Sequence, residues 1–297
     1  MRRLIAGCGY LGSTLAARWA AAGHVVFGLR RRPVGLPAGV RPLAADLCDA
    51  AGLAAALPPD LDAVVYAVAA DGRSPEAYRR AYVEGLARLL DQLPEPGPRV
   101  VFASSTSVYG QDDGSWVDED SPTEPRSETG RILLEAEATL AGSGRPFSIL
   151  RLGGLYGPGR TGLLETVRAG KARLPDEAGV YTNRIHRDDA ARALDHLVNL
   201  PDVDSVYIGA DDEPAELRTV LAWMANRLGA PGLGAPEPAA SAAGGPLGSG
   251  RGQRTRKRCR NRRLRASGFR FQYPSFREGY DAILRAQGGG PGGCGVC

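Results

Sequence analysis

Six residues near the amino end, Gly7-Cys8-Gly9-Tyr10-Leu11-Gly12, place glycines at the spacing GxGxxG. In such a turn Gly7 permits the tight bend, Gly9 lets the backbone approach a pyrophosphate, and Gly12 allows a helix to pack closely on a strand. The phosphates then sit on the free amides at the helix start. About 20 residues further on, a site for a free ribose 2′-hydroxyl carries an acid. This chain has Arg30-Arg31-Arg32 there. Guanidinium forks suit a 2′-phosphate and cannot accept a hydrogen bond from a hydroxyl, so the expected cofactor is NADP, with NAD as the alternative.

The surrounding pattern supplies the elements such a turn needs. Arg3 to Ala6 reads as a strand, Leu11 to Ala22 as an Ala-rich helix stopped by Gly23, and His24 to Leu29 as a second strand. Val40 to Ala45 reads as a third strand, residues 49–57 as a helix, and the apolar run Leu61 to Ala69 as a strand covered on both faces. Ser74 to Leu93 reads as a helix with Ser74 as cap and Pro75 at its first position. Strand Arg99 to Ser104, helix Ser127 to Leu140 and strand Phe147 to Leu152 complete the alternation. The expected fold is α/β, a doubly wound parallel (Rossmann) sheet over 1–157, rejoined by about 180–210. A smaller substrate-side region over 158–285 covers the carboxyl ends of the strands, where ligands of such sheets bind. Within it 229–250, rich in Ala, Gly and Pro, reads as a flexible excursion, and 286–297 as a disordered tail.

Composition narrows the function classes. With 297 residues, 43% of them hydrophobic, the chain can bury a sizeable core. No run of 18 apolar residues and no signal pattern occurs, so no membrane partner is expected and the reading is cytoplasmic. Five cysteines spread over the chain do not form a disulfide framework. The final Cys294-Gly295-Val296-Cys297 lacks the second pair that zinc needs, and the three histidines show no metal spacing, so no metal is expected. The net charge of +4 hides nine basic residues between Arg251 and Arg265, which leaves about −5 elsewhere. That run contains no aromatic residue, so it reads as a solvated or anion-facing segment rather than a nucleic-acid site.

Ordered motifs along the chain resemble the extended short-chain dehydrogenase/reductase group, the NAD-dependent epimerase/dehydratase family, and within it an atypical, YeeZ-like bacterial branch. They are Gly7 to Gly12, Ala45-Asp46-Leu47, Ser104 to Gly110, Arg151 to Gly159, Asn183 to Asp189, and Tyr273 to Tyr280. The resemblance implies that Asp46 and Leu47 flank the adenine, that Ala67, Val68 and Ala69 line the ribose and phosphates, and that Gly153 to Leu155 face the nicotinamide. It puts Ser105 at the family's catalytic Ser or Thr, which hydrogen-bonds the reacting oxygen. It implies a small-molecule substrate, polar and of nucleotide-sugar type, and pairing into a homodimer.

One part of the family pattern is missing. The family's tyrosine and the lysine four residues later fall at Thr129 and Leu133, and the only lysines, Lys171 and Lys257, belong to no YxxxK. Threonine is a far weaker acid than a phenol beside an ammonium, and leucine carries no charge. The chemistry left over is Ser105 with Thr106, Tyr109 as a substitute proton donor, and His186 with Asp188 or Asp189. Arg131 could stand for the missing cation, although a guanidinium cannot relay protons. Two functions follow: an oxidoreductase or epimerase/dehydratase-like enzyme, or an NADP(H)-binding sensor that has lost the chemistry.

Overall fold

The structure is a computed structural model that describes residues 1–175, 177–230, 233–234 and 256–288. Alternating apolar runs and Ala/Leu-rich stretches fold as β1 (Arg2–Ala6), α1 (Tyr10–Ala21), β2 (Val25–Arg30), β3 (Val40–Ala44), α2 (Ala50–Ala56) and β4 (Ala63–Tyr66). A continuous helical path follows: α3 (Pro75–Tyr78), a π-helical stretch over Arg79–Glu84, and α4 (Gly85–Gln92). Next come β5 (Arg99–Ser105), β6 (Trp116–Val117), α5 (Glu128–Ala141), β7 (Phe147–Leu152) and β8 (Gly154–Tyr156). The remaining elements are α6 (Gly162–Arg168), β9 (Tyr181–Thr182), β10 (Arg184–His186), α7 (Arg187–Asn199), β11 (Val206–Gly209), β12 (Ala215–Glu216), α8 (Leu217–Leu228), β13 (Arg258–Cys259), α9 (Arg262–Ala266) and α10 (Phe276–Gly288).

Seven strands form one parallel sheet in the order β11-β7-β5-β4-β1-β2-β3. The chain reverses its direction of travel between β1 and β4, and a crevice opens at such a switch point. One face packs Leu4, Val64, Leu86, Phe102 and Leu140 beneath α2, α4 and α5. The other packs Ile5, Leu15, Trp19, Val65 and Leu194 beneath α1 and α7. A third cluster, with Leu164, Val220, Met224, Phe276 and Tyr280, belongs to the later region. Three small strand pairs stand apart from the large sheet: β8 with β10, β9 with β12, and β6 with β13.

Ser74 caps its helix as expected, and Asp49 and Ser127 do the same for theirs. Ser74 Oγ accepts from Ala77 N at 3.2 Å, Asp49 Oδ1 from Gly52 N at 3.1 Å, and Ser127 Oγ from Gly130 N at 3.1 Å. Two expectations are corrected. Strand β4 stops at Tyr66, because residues 67–69 leave the sheet to line the crevice, where Val68 lies against Gly7. Residues 286–288, expected as disordered tail, form the last turn of α10, which carries Ile283 into the third cluster. Residues 289–297, with the CxxC pair, and most of 229–250 lie outside the described residues; within 229–234, Gly229 ends α8 in the left-handed conformation and Gly234 bridges Arg173. Among the described residues no helix is long and apolar enough to cross a membrane.

Candidate dinucleotide and active site

A cleft of about 1210 Å³ runs along the carboxyl ends of β2, β1, β4, β5 and β7. One end is lined by Arg30, Arg31, Asp46 and Leu47, the middle by Gly7, Gly9, Tyr10, Leu11, Ala67, Val68 and Ala69, and the other end by Ser105, Tyr109, Gly153 and Leu155. Gly12 lies beneath the wall rather than in it. The parallel sheet brings these segments together because every strand delivers its carboxyl end to the same edge.

The glycine turn has the geometry that a phosphate cradle needs. Gly7 has φ +87°, and a Cβ there would lie 2.5 Å from the Val68 backbone. At Gly12 a Cβ would meet the Gly7 carbonyl at 2.4 Å, so α1 could not sit so close to β1. Nothing lies within 4 Å of a Cβ at Gly9, which leaves the backbone open to approach. The first-turn amides of α1, and the positive end of its dipole, face that opening with no acid in the turn. This arrangement fits a dinucleotide's pyrophosphate.

At the β2 end, Arg30 donates only long contacts to the carbonyls of Cys8 (3.5 Å) and Val34 (3.4 Å). Arg31 pairs with Asp71 at 2.6 Å across the mouth of the cleft, and both groups are exposed. That pair holds the Asp71 carboxyl below its ordinary value. No acid ends β2.

At the β5 end, Ser105 is half-buried and its Oγ accepts from Ser107 N at 3.1 Å, which fixes the oxygen at the cleft wall. Thr129 and Leu133 also line the cleft: the Thr129 hydroxyl donates to Ser127 Oγ at 3.2 Å, and Leu133, 4% exposed, packs its other side into the core. Tyr109, expected as a proton donor, lies at the cleft wall. It is fully buried, its hydroxyl accepts from Arg151 at 2.7 Å, and burial raises its pKa. A phenol held this way stays protonated, and its hydroxyl is engaged by Arg151 at the cleft wall.

Beneath it lies a buried polar network. Arg151 donates to both oxygens of Glu137, and Ser104 Oγ donates to Glu137 Oε1 at 2.6 Å. His186 is a helix cap: it is 2% exposed, its Nδ1 accepts from Asp188 N at 3.2 Å, and its ring lies 4.0 Å from Tyr273. Asp189, fully buried, accepts from the backbone of Gln272 and Tyr273 at 2.8 Å each. Arg131 is exposed and lies away from the cleft lining.

The sequence reading took Lys257 only as part of the basic run and of no YxxxK, not as a cleft residue. It is 3% exposed, lines the cleft, donates from Nζ to the Tyr109 carbonyl at 2.9 Å, and burial lowers its pKa. The available signal was its type, one of two lysines in a chain otherwise served by arginine. Several described basic neighbours are tied down. Arg263 pairs with Asp120, Arg265 with Asp212 and Arg256 with Glu177, while Arg258 and Arg260 lie over the Trp116 ring.

Comparison with known proteins decides the family. The profile of the NAD dependent epimerase/dehydratase family matches residues 4–208, well over half of the chain. The chain belongs to the NAD-dependent epimerase/dehydratase family. It is 34% identical to protein YeeZ of Escherichia coli K12 over 237 residues, covering 76% of this chain and 83% of that protein. It is 33% identical over 252 residues to a 3-diazoavenalumate denitrifying reductase of a Streptomyces species, covering 78% and 83%. A solved structure from Methylobacillus flagellatus, assigned as an NAD-dependent epimerase/dehydratase, superposes with a TM-score of 0.78 at 37% identity, covering 96% of this chain and 98% of that one. Membership brings the dinucleotide fold.

Proposed function

We propose that the protein is an NADP-dependent oxidoreductase or epimerase/dehydratase-type enzyme acting on a small polar substrate of nucleotide-sugar type. The observation that carries this reading is the single cleft that runs from Arg30 and Arg31 past the open Gly9 backbone to Ser105 and Gly153. Arg30 and Arg31 read the 2′-phosphate, since no acid at the end of β2 accepts from a 2′-hydroxyl. A 2′-phosphate competes with Asp71 for Arg31, an exposed pair that contributes little on its own. When bound, the dinucleotide supplies or takes up hydride at the Gly153 to Leu155 end. Ser105 donates its hydroxyl proton in a hydrogen bond to the reacting oxygen of the substrate, with Oγ oriented by the Ser107 amide.

The test is a fluorescence titration with NADPH and NADH. NADPH should bind more tightly, and Arg30→Ala with Arg31→Ala should weaken NADPH about tenfold while leaving NADH nearly unchanged, the scale of one lost charge-assisted contact. Equal affinity for the two nucleotides sinks the NADP reading, and loss of neither in Gly9→Trp sinks the cradle.

A second reading is a non-catalytic NADP(H) sensor. Thr129 and Leu133 favour it, because neither can move a proton at neutral pH. Hydride transfer to any member of a broad carbonyl and nucleotide-sugar panel would decide for the enzyme. Tight binding without turnover, and without loss on Ser105→Ala, would decide for the sensor.

A further inference from the structure

The cleft wall beside the glycine turn contains a cation that no acid balances. Arg160 lines the cleft and is exposed, and among the described residues its side chain donates no hydrogen bond and joins no ion pair. Its guanidinium instead lies 4.3 Å from the centroid of the Tyr10 ring. Tyr10 is the first residue of α1, so the guanidinium is held close to the helix end where backbone amides and the dipole already favour an anion.

The mounting is well defined. The turn that carries Arg160 is closed by Arg160 N donating to the Gly157 carbonyl at 2.9 Å. It packs directly on Tyr10, since a Cβ at Gly157 would lie 3.0 Å from the Tyr10 hydroxyl. That hydroxyl is buried without a hydrogen-bond partner, so packing rather than hydrogen bonding sets the ring's position. Arg187 sits 5.2 Å from the same ring, but it is paired with Asp188 at 3.0 Å and ties the turn through the Pro158 carbonyl at 3.3 Å. Two guanidinium groups therefore share one ring, and only one of them has a counter-charge. Cation–π contact holds a guanidinium in place without neutralising it.

We propose that Arg160 clamps the pyrophosphate of the bound dinucleotide, with the Tyr10 ring as the platform that presents its guanidinium. This rests on the dinucleotide reading of the cleft and adds to it a residue from outside the glycine turn. A guanidinium fork pairs with two phosphate oxygens at once, complementing the amides of α1, which are fixed and cannot follow the ligand. Because Arg160 lies in the region that covers the sheet's carboxyl edge, its engagement couples nucleotide binding to that region.

The test compares full-length wild type with Arg160→Ala and Arg160→Lys, using NADPH, NADH, ADP-ribose and adenosine as ligands, and UDP on the NADPH-saturated protein. Arg160 is exposed, so the fold should survive, and circular dichroism checks this. Arg160→Ala should weaken the three pyrophosphate-bearing ligands by a common factor of about ten and leave adenosine unchanged; lysine should recover part of the loss. Unchanged ADP-ribose affinity in Arg160→Ala overturns the clamp. So does a loss confined to UDP binding on the NADPH-saturated protein, which would assign Arg160 to a substrate phosphate instead. If wild type binds no dinucleotide at all, it is the reading of the cleft that fails, a result distinguishable from the other two.

Discussion

Glu137 carries the polar network beneath the Ser105 end of the cleft, with Ser104, and Arg151 in a two-oxygen contact, as its partners. Both members of the pair are almost fully buried, with side-chain exposures of 8% for Arg151 and 6% for Glu137. Removing one charge of such a pair leaves the other uncompensated in a poorly solvated place. Glu137→Gln should therefore lower stability by about 3 kcal/mol, read as a reduced urea midpoint at unchanged slope. A change below about 0.5 kcal/mol would mean that the pair is solvated in solution and does not hold β5 and β7 in place. Tyr109→Phe tests the same network more gently, because Arg151 keeps Glu137 and loses only a neutral acceptor; about 1 kcal/mol is expected. At this scale the sequence was readable where a role depends on local backbone, as for Gly7 and Gly12. It was not readable where a role depends on which way a strand-end side chain turns. Tyr109 lines the cleft, but its side chain is buried and its hydroxyl bonded by Arg151, a partner no local pattern announces.

Elements with their own start signals were legible for the same reason: Ser74, Asp49 and Ser127 each bond an amide two or three residues into the helix that they begin. The end of β4 was not, because Ala67 to Ala69 continue the apolar run and leave the sheet only for a tertiary reason, the approach to Gly7. The short strands β6 and β13 pair residues over 140 apart, a contact that no local pattern announces. Helix α7 gives a prediction. Its cap acceptor is His186 Nδ1, which can accept from Asp188 N only while that nitrogen is unprotonated. Burial lowers the His186 pKa, more than Asp188 and Asp189 raise it. The unfolded chain then takes up the proton first, so this contribution is complete above about pH 6.5 and is lost as pH falls below that value. His186→Asn keeps a good cap acceptor and removes the titration. Between pH 7.5 and 5.5 the wild type should lose more of its Tm than His186→Asn; equal losses would show that the ring does not titrate with unfolding.

The described residues form the doubly wound sheet and a later cluster with a core of its own, and Asp189 ties α7 to the segment that leads into that cluster. This fully buried carboxylate accepts two backbone amides of the segment leading to α10, and also pairs with Arg192 at 2.6 Å. Beside it Tyr156 stacks on Tyr280 with centroids 4.5 Å apart, and His186 meets Tyr273. Asp189→Ala strands two buried N–H donors and leaves Arg192 without its acid, at a cost of about 3 kcal/mol. The loss should be uneven. The sheet keeps both of its faces covered, while α10 and α8 lose the strut that holds their segment to α7, so they should open at lower free energy than the sheet. Amide hydrogen exchange reads this directly: protection in α10 should fall well below that in β5 in Asp189→Ala, whereas the two should open together in wild type. Equal loss of protection in both would show that the later cluster and the sheet unfold as one unit, and that the two cores are not separable.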